Sequence, residues 1–129
     1  FDIETASGEI TCIGFAPSPE RSMVVPFRDT TQKSQTFYNY TTELAVWSAI
    51  KELLEDKTIV KVAQNQTYDV SWLNHKYGIE VAGTIHDTMH AQHAIQPEME
   101  KGLGFLGSIY TNEGAWKNLT SFSKSTKEE

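Results

Sequence analysis

The chain has a single cysteine, Cys12, and four prolines in 129 residues. One thiol cannot form an intrachain disulfide, so the fold must rest on packing, and a reducing compartment is the default expectation. No apolar run approaches the ~20 residues of a membrane-spanning helix, and no signal peptide is visible. Basic residues are also in deficit, with 11 Lys and Arg against 17 Asp and Glu for a net charge of -6. That balance argues against a broad electrostatic grip on nucleic acid. It is compatible with a metal-dependent phosphodiesterase, because clustered carboxylates repel phosphate only until a cation joins them. No glycine-rich phosphate loop follows the first strand, which disfavours a nucleotide-binding module.

What is present is acidic and placed early. Asp2-Ile3-Glu4-Thr5 reads as a strand, and the period of two puts Asp2 and Glu4 on one side roughly 6.5 Å apart. About sixty residues later Asn65-Gln66-Thr67-Tyr68-Asp69 opens a predicted helix and offers a third carboxylate. Divalent ions about 4 Å apart need several carboxylates converging at that scale. A chain starting on Phe1, with carboxylates already at positions 2 and 4, reads as a fragment whose first strand extends upstream.

The patterning predicts strands over Phe1–Thr5, Ile10–Ala16 and Ser22–Phe27, followed by a loop from Arg28 to Asn39. In the second strand, alternation puts Ile10, Cys12 and Gly14 on one face and Thr11, Ile13 and Phe15 on the other. A helix capped by Thr41 or Thr42 buries Leu44, Trp47, Ile50 and Leu54. Lys57–Ala63 reads as a buried strand, Thr67–Lys76 as a helix stopped by Gly78, and Glu80–Ile85 as another strand. Asp87 or Thr88 caps a helix ending before Pro97, and Leu103, Leu106 and Tyr110 mark one more. Residues 120–129 read as a disordered tail. Three strands in succession, then alternating helix and strand, give an α/β class with one mixed sheet and helices on its faces.

These residues resemble the DEDD 3′–5′ exonucleases. Asp2-Ile3-Glu4-Thr5 with a following hairpin, and Asn65-x-x-Tyr68-Asp69 opening a helix, are similar to that family's first two motifs. His86-Asp87-Thr88-Met89, followed by Leu103-Gly104-Phe105-Leu106, looks like the strand-to-helix passage in proofreading domains of family A, polymerase I-like DNA polymerases. The resemblance implies a ribonuclease H-like fold over residues 1–119, incomplete at both ends, in a phage or bacterial (cytoplasmic) protein. It implies hydrolysis at a single-stranded DNA 3′ end with two Mg²⁺ or Mn²⁺ ions, releasing nucleoside monophosphates, beside a polymerase domain in the same parent chain. Asp2, Glu4 and Asp69 would be catalytic and hold the metal pair. Asn65, Thr5, Tyr68 and His86 would stand on the substrate side.

The family completes its site with Tyr-x-x-x-Asp or His-x-x-x-x-Asp. Tyr110 is followed at that spacing by Gly114, and the His93–Glu98 pair has Pro97 between its members, which would break the required helix. The missing pair is therefore expected beyond Glu129, and the fragment is expected to bind metal weakly and hydrolyse slowly. Rival readings are a ribonuclease D-like exonuclease and a catalytically silent module of the same fold. Other patterns have plainer readings. His86, His90 and His93 lack a fourth ligand for a zinc site. Asp87 reads as a helix cap, Asn65 equally as a cap, and Tyr68 from its pattern as core packing. Lys57, Lys61, Lys76 and Lys101 read as solvated surface.

Overall fold

The computed structural model describes residues 1–29 and 35–114. The expected tail at 120–129 lies outside the described residues. The chain divides into two compact units, Phe1–Asp87 and Thr88–Glu129.

In the first unit β1 (Asp2–Ala6), β2 (Glu9–Ser18) and β3 (Arg21–Pro26) form an antiparallel sheet in that order. Gly8, with φ +79, and Ser7, with φ 52, make the tight β1–β2 turn through left-handed backbone. The pairing is not uniform. Glu4 faces Cys12 whereas Thr5 faces Ile10, so Thr11 is an extra residue on β2. The bulge reverses the alternation, and Ile10 and Ile13 are both fully buried although simple parity separates them. Thr11 is held from both sides: its carbonyl accepts from the Phe27 amide at 2.7 Å, and its hydroxyl donates to the Glu4 carbonyl at 3.1 Å.

The segment expected to be a loop contains two short paired strands, β4 (Arg28–Asp29) and β5 (Gln35–Thr36). Arg28 organises them, since its guanidinium donates to Glu9 at 2.8 Å and to Glu43 at 3.0 Å. Helix α1 (Tyr40–Glu55) begins two to three residues earlier than expected. Its cap is Asn39, whose side-chain oxygen accepts from the Thr42 amide at 2.9 Å, rather than either threonine. Ile50 and Leu54 enter the core as expected, but Leu44 is more than half exposed. Trp47 lies between Phe27 and Tyr77 in a stack with centroid separations of 4.2 and 4.0 Å.

Strand β6 is confined to Lys61–Ala63 and pairs in parallel with β7 (Ile85–Asp87). The expected strand over 80–85 is thus shifted to 85–87. The parallel pair stays short because its flanks are committed to turns. Gly83, with φ +83, passes so close to Lys57 that an added Cβ would lie 2.7 Å from the Lys57 carbonyl. Between β6 and β7, α2 (Gln66–Tyr77) ends at Gly78 in left-handed backbone, as the sequence predicts.

The α/β class holds, with both antiparallel and parallel pairing. Among the described residues the strands fall into three separate sheets, and the residue before β1 reaches β6 through a bond from the Phe1 ammonium to the Val62 carbonyl at 2.7 Å. Beside it runs an apolar trough of about 1050 Å³, lined by Phe15 and Val25 of the sheet, Val46, Ile50 and Leu53 of α1, and Val60.

The second unit carries α3 (Thr88–Ile95) and α4 (Leu103–Tyr110), where the sequence places them. Its buried residues include Leu106 and Gln92, and the Gln92 side-chain oxygen accepts from the Tyr110 hydroxyl at 2.8 Å.

Candidate active site

Asp2 and Glu4 lie on the exposed face of β1, with Ile3 between them buried, so the strand period places both carboxylates on one side as expected. Asp69 reaches the same strand from α2. Its Oδ1 accepts from the Ile3 amide at 2.9 Å, across 66 residues of sequence. That bond sets the third carboxyl against the backbone between the other two. Asp69 is 3% exposed, whereas Asp2 and Glu4 face solvent.

Burial pushes the Asp69 carboxyl above the ordinary carboxylate range; the Ile3 amide opposes that shift and the negative charge of Asp2 adds to it. The same charge centre reaches Cys12 opposite Glu4. Burial raises its thiol pKa first, and Glu4 and Asp2 raise it further. Cys12 is thereby kept a protonated thiol of low reactivity.

Tyr68 is not core packing. It is 47% exposed, and its hydroxyl shares a hydrogen bond of 2.8 Å with the Thr5 hydroxyl, tying α2 to the strand end beyond Glu4. Two of the expected substrate-side residues are therefore in contact. Asn65 and His86 are both exposed on the flanking segments. Asn65 does not cap α2 with its side chain. It takes left-handed backbone at φ 57 and ψ 48, a conformation asparagine tolerates better than most residues.

The cap comes from elsewhere. Asp87 is buried on β7, and its Oδ1 accepts from the Asn65 amide at 3.1 Å while its Oδ2 accepts from the Gln66 amide at 2.9 Å. The expectation that Asp87 is a helix cap is right in kind; the helix whose first amides it is seen to bind is α2. Lys61 departs from expectation more sharply. It is 5% exposed, and its ammonium donates to the carbonyls of Asp56 and Ala82. It clamps two loops and is not solvated surface. The signal available for it was position, since Lys61 sits inside an apolar run where an unpaired charge would be costly.

Three carboxylates supply hard oxygen donors of the kind Mg²⁺ and Mn²⁺ prefer. The donor set fits such ions by chemistry. As they stand, no three His, Cys, Asp or Glu side chains among the described residues are grouped tightly enough to hold one. Like charges favour rotamers that separate them, and exposed Asp2 and Glu4 are free to turn.

In this α/β domain, helix α2 sets one carboxyl against a β1 strand that carries two more, an acidic face of the kind hydrolytic nucleases use. Residues 1–127 match the family profile of the 3′–5′ exonuclease domain of family A DNA polymerases, and the chain belongs to that family. No curated protein and no solved structure matches it.

Proposed function

We propose that this domain removes nucleotides from a single-stranded DNA 3′ end as the proofreading exonuclease of a polymerase I-like enzyme, within a ribonuclease H-like fold. The observation that carries the reading is the Asp69–Ile3 bond, which joins two acidic motifs far apart in sequence on one strand. Asp2, Glu4 and Asp69 would hold two divalent ions. When bound, such ions supply charge that favours ionisation of a water and offsets negative charge building on the phosphate.

The chain's own residues divide the remaining work. Buried Asp69 is fixed by the Ile3 amide, whereas Asp2 and Glu4 are exposed and can rotate towards a cation. Thr5 and Tyr68, bonded to each other beside Glu4, offer hydroxyls to the last sugar and phosphate. Asn65 and His86, both exposed, would stand on the substrate side. Residues 1–129 contain no Tyr-x-x-x-Asp to orient the attacking water, so hydrolysis by this polypeptide alone is slow. A catalytically silent module is the second reading, favoured by the open spacing of the carboxylates.

Titration with Mn²⁺ and digestion of a 5′-labelled single strand separate the two. Saturable Mn²⁺ binding that disappears in the Asp2→Ala/Glu4→Ala double variant, with mononucleotides released from the 3′ end, is the expected result. Binding or cleavage that survives the double substitution refutes the site.

A further inference from the structure

We propose that Asp87 is a positioning residue for this site: from β7 it holds the first turn of α2 in the place that lets Asp69 reach β1. The inference rests on the reading of Asp69 as a functional carboxyl. The β6–β7 register sets Asp87 opposite Ala63, two residues before Asn65. There each carboxylate oxygen takes one amide from the start of α2, Asn65 at 3.1 Å and Gln66 at 2.9 Å. Those amides are among the donors a helix leaves unmatched at its N-terminus, and the α2 sequence provides no side-chain cap of its own. Asp69 follows Gln66 by three residues, about 4.5 Å along the helix axis, so it lies in the turn that Asp87 grips. Asp69 in turn spends one oxygen on the Ile3 amide at 2.9 Å. A chain of charge-assisted bonds therefore runs from β7 through the helix start to β1. The far end of α2 is fastened independently: the Gly78 amide donates to the Asn74 carbonyl at 3.0 Å and the Ile79 amide to the Leu73 carbonyl at 3.1 Å.

Two substitutions disturb opposite ends of the same helix. Asp87→Asn keeps the size but replaces one acceptor oxygen with an NH₂ group, which would face a backbone donor. Gly78→Ala strains the left-handed C-cap at φ +61 without steric overlap. Amide hydrogen exchange on the ¹⁵N-labelled 129-residue polypeptide reads Ile3 relative to Leu54 in α1. Asp87→Asn is expected to speed Ile3 exchange about tenfold on that ratio, whereas Gly78→Ala leaves it within about threefold. Mn²⁺ affinity, followed by loss of the free-ion electron paramagnetic resonance signal, is expected to drop by a similar factor in Asp87→Asn alone. An unchanged ratio in Asp87→Asn, or equal changes in both variants, overturns the proposal. Should Asp87→Asn not fold, Asp87→Glu keeps both acceptors at a longer reach. It is expected to move the ratio about threefold, and no movement there is equally fatal. If the unaltered chain binds no Mn²⁺, the metal reading falls, and the exchange ratio still decides the role of Asp87.

Discussion

Helices α1 and α2 both begin beside an asparagine, and the two asparagines act differently. Asn39 has extended backbone and caps α1 with its own side chain. Asn65 is left-handed and contributes only backbone, while an aspartate 22 residues downstream does the capping. The α1 start is local and self-sufficient, as suits a helix whose task is to cover the core. The α2 start depends on tertiary structure. A helix that must place a functional carboxyl gains accuracy when its origin is pinned to a neighbouring strand.

The contrast can be broken experimentally. The largest effect is expected from Asp87→Ala, which strands two part-buried helix-start amides and costs about 2 kcal/mol in urea denaturation. Asn39→Ala removes one exposed cap and costs about 1 kcal/mol by the same measurement. Asn65→Gly should change stability by only a few tenths of a kcal/mol, because glycine accepts the left-handed backbone and no side-chain cap is lost. A cost above ~1 kcal/mol for Asn65→Gly would show that the Asn65 side chain matters after all.

The smallest change concerns pH. Burial raises the Asp69 pKa, so the folded state holds that proton more firmly than the unfolded state. Its contribution to stability is complete below the ordinary carboxylate range and is lost as pH rises through the folded value. Asp69→Asn, which can still accept from Ile3, should therefore raise the metal-free melting temperature slightly at neutral pH and have no such benefit in acid. A benefit that is largest in acid would reverse the sign of the assignment.

The same division between local and distant causes explains what the sequence made legible. Strands β1 to β3, the Gly78 stop and the helix at 103–110 are written in short-range patterns, and all were found there. The local structure around Asp2, Glu4 and Asp69 was legible, because the strand and the helix start that carry them follow short-range patterns. The Thr11 bulge was not, since parity along β2 gives no warning of an extra residue. It lies opposite Glu4 and Thr5, two residues of the proposed site. Lys61 was misread as surface, and the helix that Asp87 is seen to cap was not foreseen, for a common reason. Each is charged, and its partners are backbone groups remote in sequence that no local pattern announces.

The apolar trough beside α1 has a practical consequence. Some of the hydrophobic side chains near it, among them Val60 and Val62, stand more than half exposed. Exposed apolar side chains beside a trough are where reporter dyes and other chains bind first. Dilute samples, with light scattering checked before any cation is added, would keep precipitation from passing as ion uptake.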